Sequence, residues 1–71
     1  MELKAFLGKR IRVVVDTHIA TIPTRIFTGE IISIDKESFN FMDKFGKTIL
    51  IMNKDVMRVE ELGDEVNGNN G

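Results

Sequence analysis

The sequence predicts a mainly β fold: an N-terminal short helix followed by a strongly bent, five-stranded antiparallel small barrel. Three observations lead there. Five runs of alternating or β-branched apolar residues lie between residues 9 and 62, most of them separated by tight turns. The second run, Arg25–Asp35, is eleven residues long and carries Gly29 near its middle. A sheet built from such strands in so short a chain is too curved to stay flat and closes on itself.

The elements follow in order. Leu3, Phe6 and Leu7 recur at i, i+3 and i+4, one apolar face of a short helix that Gly8 stops. So short a helix does not persist alone and must lie on something. In the first strand, residues 9–16, Ile11, Val13 and Val15 share a face. Residues 17–24 form a loop; Pro23 disfavours a central strand there, and Ile19 and Ile22 are expected to pack back on the barrel rim. The second strand can be written as two faces, Phe27, Gly29, Ile31 and Ser33 against Ile26, Thr28, Glu30, Ile32 and Ile34. Neither face is apolar throughout, and the apolar set changes sides near Gly29. That is expected of a strand that bends sharply, with glycine where a side chain would clash inside the curve. After the turn Asp35–Ser38, Phe39 and Phe41 share a face of the third strand. Gly46 suits a positive φ in the next turn, and Ile49 and Ile51 alternate in the fourth strand. A very short turn, Asn53–Asp55, leads to the last strand, residues 56–62.

A chain of 71 residues is one domain, placed at 1–62, with 63–71 read as a disordered acidic Gly/Asn-rich tail. A domain this small buries only about 60% of its unfolded surface and needs a staple. There is no cysteine and a single histidine, His18, which excludes disulfides, thiolate metal sites and a His-rich metal cluster. Self-association is the staple that remains. Residues 1–59 hold ten bases and seven acids, whereas residues 60–71 hold four acids and no base. A mildly basic body is compatible with nucleic acid without demonstrating it. No apolar run approaches the ~20 residues of a membrane span, and the N-terminus lacks an apolar signal region, so no membrane partner and a cytoplasmic setting are expected.

The helix leading into Gly8–Val15, the spacing Phe27, Gly29, Ile31 and Asp35, the apolar Phe39–Phe41, Gly46, and the pair of strands around Asn53–Asp55 together resemble the Sm-like superfamily, which includes Lsm proteins and bacterial Hfq. The resemblance covers residues 2–62. It implies a ring of about five to seven subunits in which the fifth strand of one subunit pairs with the fourth of the next, removing both open edges. Leu50, Met52 and Met57 would then be covered by the neighbour, or else complete a single core. The resemblance also implies that single-stranded RNA is held at the pore-lining turns, for RNA processing, through Asp35, Lys36 and Glu37 in one turn and Asn53, Lys54 and Asp55 in the other.

Two departures modify that expectation. The family's Asp-x-x-Met-Asn becomes Asp35-Lys36-Glu37-Ser38-Phe39-Asn40, with the asparagine one place late. Asn40 then either faces the pore after a one-residue shift or is an ordinary strand residue facing solvent; the latter is favoured, since a one-residue slip reverses a side chain's face. The second motif, Arg-Gly-Asn or Tyr-Lys-His in relatives, reads Met52-Asn53-Lys54, without a stacking arginine or aromatic. Weaker or altered RNA preference follows.

The remaining candidates are weighed against plain structural roles. His18 reads as a solvated loop histidine. Lys4, Lys9, Arg10, Arg12 and Arg25 form either a phosphate-binding surface or a solvated face. Phe6, Phe27, Phe39 and Phe41 fit a core better than a stacking platform, and Phe45, at a turn, is either tucked under or offered to a partner. Asp35, Glu37 and Asp55 either gather round a cation or balance Lys36 and Lys54. With no nucleophile–base set, no phosphate loop and no cofactor motif, an enzyme is not expected. The sequence therefore favours a ring-forming Sm-like RNA-binding protein. A small-barrel protein–protein assembly module without nucleic-acid binding is the alternative, and a monomeric OB-type barrel a weaker third.

Overall fold

The computed structural model of the chain describes residues 2–63. Most of the expected acidic tail, residues 64–71, lies outside them. No helix among the described residues is long and apolar enough to cross a membrane.

A 3-10 turn, Leu3–Phe6, precedes five strands: β1 Ile11–Asp16, β2 Thr24–Ile34, β3 Ser38–Asp43, β4 Thr48–Met52 and β5 Val56–Glu61. The N-terminal element is thus tighter than an α-helix. Its bonds run from each N–H to the third carbonyl back, and Gly8 at φ +77° ends it. With three residues per turn, Leu3 and Phe6 eclipse and both reach the core, while Leu7 is carried round into solvent. Leu7 therefore does not join the apolar face that a 3.6-residue period assigns it.

The strands form one antiparallel sheet in the order β4-β3-β2-β1-β5. No ladder joins β4 to β5, so the sheet is open and these two strands are its edges. It is nonetheless curved. Ile11, Val13, Phe39 and Phe41 are fully enclosed although only a four-residue turn covers them. Ile49 and Ile51 from one edge and Val56 and Val59 from the other pack on that same cluster. A flat five-stranded sheet would hold its edges about 19 Å apart, too far for one shared core.

Two bulges produce this shape. Between β2 and β3 the register runs Ile31 to Phe41 and then Ser33 to Asn40, leaving Ile32 as the extra residue. The bulge shifts the parity of β2, so Phe27, Ile31 and Ile34, drawn from both of the faces written from sequence, all pack on the core. The change of side therefore falls at Ile32, three positions beyond Gly29. Gly29 has a different role: a Cβ there would lie 2.9 Å from the Asp43 Cα and on top of the Met42 carbonyl oxygen. β3 approaches β2 so closely at that point that only glycine fits. The second bulge lies in β5, where Val14 faces Arg58 and Val15 faces Val56, leaving Met57 unpaired.

The loop between β1 and β2 does not pack on the rim. The Thr17 hydroxyl donates to the Ile22 carbonyl and accepts from the Ile19 N–H, and the Thr17 N–H donates to the Pro23 carbonyl at 3.0 Å. These local bonds close the loop on itself and leave Ile19 and Ile22 exposed.

Candidate nucleic-acid interface

Strand direction places the β2–β3 turn beside the turn Asn53–Asp55, because Ser38 at the start of β3 pairs with Met52 at the end of β4. The first turn is closed by the Asp35 N–H donating to the Ser38 carbonyl at 2.8 Å. The second is a single 3-10 turn. The two are tied directly: the Asn53 N–H donates to the Glu37 carbonyl at 2.9 Å, and Asn53 Nδ2 reaches the Lys36 carbonyl at 3.4 Å. Lys36, Glu37, Met52, Asn53 and Lys54 line one cleft of about 280 Å³. Asn53 Oδ1 is buried without a hydrogen-bond partner. Such an acceptor is costly to leave unpaired. Two ammonium groups, one carboxylate and an amide can hold a phosphate and a base edge; an aromatic stacking surface is absent from this cleft.

Of the predicted RNA contacts, Lys36, Asn53 and Lys54 come together here, with Glu37. Asp35 sits in the same turn but does not line the cleft. Asn40 belongs to the opposite face of the sheet from Phe39 and Phe41, and its Nδ2 donates to Ser33 Oγ at 3.0 Å. The bulge at Ile32 is what sets Ser33 opposite Asn40. Asn40 is therefore a strand residue outside the cleft, as the favoured of its two sequence readings has it.

Asp55 also turns away, toward His18. His18 Nε2 lies 2.8 Å from Asp55 Oδ1, and its Nδ1 lies 3.8 Å from Asp16 Oδ1. Asp16 Oδ1 also accepts the His18 N–H at 2.8 Å, which holds the residue at φ +62°. The hydrogen bond to Asp55, reinforced by the charges of Asp16 and Asp55 and opposed by Lys54, raises the His18 pKa above 6.5. Sequence reading missed this pair, since Asp55 lies 37 positions from His18 and no local pattern links them. Among the described residues, no three of Asp, Glu and His gather as a metal site, and Asp55 pairs with His18.

The bases near β1 and β5 are partly engaged with the acids of β5. Arg12 binds Glu60 at 3.0 Å, Arg58 binds the same carboxylate at 2.7 Å, and Lys9 lies 3.6 Å from Glu61. Two acids read from sequence with the acidic segment are thus strand residues paired with bases. Arg25 stacks over Phe27, 5.7 Å from the ring centre.

The expected interface residues lie on the edges. Leu50 on β4 and Met57 on β5 are 61% and 57% exposed, and Met52 is half-buried. A second groove, about 210 Å³, runs along β4 and is lined by Val15, Phe27, Leu50 and Met52, with Arg25 and Asp55. Compared with family models, with curated proteins and with solved structures, the chain matches none.

Proposed function

We propose that this chain is a ring-forming, Sm-like RNA-binding protein whose curved sheet acts as a small barrel and holds single-stranded RNA at the turns Asp35–Ser38 and Asn53–Asp55. The observation that carries the reading is the meeting of Lys36, Asn53 and Lys54 in one cleft. The unpaired edges β4 and β5 support the assembly: pairing β5 of one copy with β4 of the next would cover Leu50 and Met57 and repeat the cleft around an axis.

Fluorescence anisotropy with U-rich and A-rich RNA tests the RNA half. Salt-sensitive binding that Lys54→Ala weakens is the expected result, with the salt slope falling by about 0.7 for each phosphate the variant no longer neutralises. Binding of no RNA at any salt concentration would leave the second reading, an assembly module without nucleic acid. Glu37 in the cleft and the missing stacking side chain favour that alternative.

A further inference from the structure

We propose that the β3–β4 turn carries a second contact for single-stranded RNA, built on Phe45 and distinct from the cleft at Lys36 and Lys54. This deepens the RNA reading and rests on it, but concerns another surface. β3 spans Ser38–Asp43, with the cleft beyond its first residue and Phe45 beyond its last, so the two lie about 17 Å apart along the strand.

Phe45 is 81% exposed, the most exposed large apolar side chain among the described residues. Nothing in the core requires it. Its turn is nevertheless tightly built. Asp43 Oδ1 accepts the N–H groups of Phe45 at 2.9 Å and Lys47 at 2.8 Å, the Gly46 N–H donates to the Asp43 carbonyl at 3.0 Å, and Gly46 takes φ +83°. The backbone under the ring is therefore fixed and presents Phe45 outward, which lowers the entropy lost on binding. The Lys44 ammonium lies 5.4 Å from the ring centre.

Beside the turn lies a cleft of about 370 Å³ that includes Arg10, Lys44, Ile32 and Met42. Its acids are Glu30 and Asp43, and Asp43 is already engaged by the turn backbone. An exposed ring beside cations is the combination that binds single strands: the ring stacks a base, and the cations take the flanking phosphates. A protein partner fits less well. Protein hot spots sit inside an apolar surround, whereas Phe45 is flanked in its turn by Lys44, Gly46 and Lys47.

The chain contains neither tryptophan nor tyrosine, so Phe45→Trp introduces its one strong fluorophore at the point of interest. Oligouridylate and oligoadenylate RNA are titrated against this variant while anisotropy is followed for the unaltered chain, Phe45→Ala and Lys54→Ala. The expected result is quenching of the tryptophan over the concentration range in which RNA binds, and binding about tenfold weaker in Phe45→Ala. Thermal unfolding of Phe45→Ala should match that of the unaltered chain, because the ring supports no packing. RNA that binds the unaltered chain but neither quenches the tryptophan nor distinguishes Phe45→Ala overturns this inference and leaves the cleft reading standing. If Phe45→Ala weakens binding and Lys54→Ala does not, the inference holds and the cleft reading falls. If the unaltered chain binds no RNA, both fall.

Discussion

At the residue scale, His18 couples the β1–β2 loop to the turn that carries Lys54. The imidazolium lies between Asp55 and Asp16, so its charged form is favoured and its pKa stands above 6.5. Because the folded value is the higher one, the stabilisation is fully present below the unfolded value and is lost as pH rises through the folded value. Denaturant midpoints should therefore fall as pH is raised upward from about 6.5, and Asp55→Asn should flatten that slope. The single histidine makes the NMR titration unambiguous. A His18 pKa at or below 6.5 would show that the pair does not form in solution. This contact also marks a limit of sequence reading. Lys36, Asn53 and Lys54 could be grouped in advance because a resemblance placed their two turns together. His18 and Asp55 had neither a resemblance nor a local spacing to join them, and only the folded loop does so.

At the scale of elements, alternation made every strand readable within a residue or two, because period-two burial leaves its mark directly on the sequence. Bulges leave no such mark. Ile32 and Met57 are ordinary strand residues by type, yet each resets the parity of its strand, and the partner that Asn40 faces across the ladder could not be read without the first of them. Gly29 was legible as a constraint, although what it avoids is the backbone of β3. Gly29→Ala tests this. The added methyl meets backbone atoms, which cannot rotate aside, so β2 and β3 must separate where their ladder ends at Gly29 and Asp43. A destabilisation of about 3 kcal/mol is expected by urea unfolding, at the upper end of overpacking costs. Gly46→Ala, with open space around its Cβ but φ +83°, should cost less, about 1 kcal/mol. Equal effects at the two positions would mean that conformational freedom, rather than close approach, governs Gly29.

At the scale of the whole molecule, the question is what covers the edges. A chain this small, with no cysteine, has little stability to draw on, and its core is one cluster under a curved sheet. Leaving β4 and β5 unpaired exposes backbone donors and acceptors together with Leu50 and Met57, a combination that invites strand addition. If copies join edge to edge, folding is linked to association, and the unfolding temperature must rise with protein concentration. Native mass spectrometry then gives a closed ring of about five to seven chains, since a head-to-tail interface that rotates to closure ends in a ring. Leu50→Lys and Met57→Lys separate this from general stickiness. Both side chains point away from the core, so a single chain should tolerate either change, whereas an interface that buries them must desolvate a new charge wherever two copies meet. Each variant should shift the mass spectrum to single chains and abolish the concentration dependence of unfolding. Phe45→Lys, at a side chain still more exposed but in the β3–β4 turn rather than on either edge strand, should leave the ring intact. Unaltered protein that runs as a monomer, or a ring that survives both edge lysines, would mean that the edges are not where copies meet.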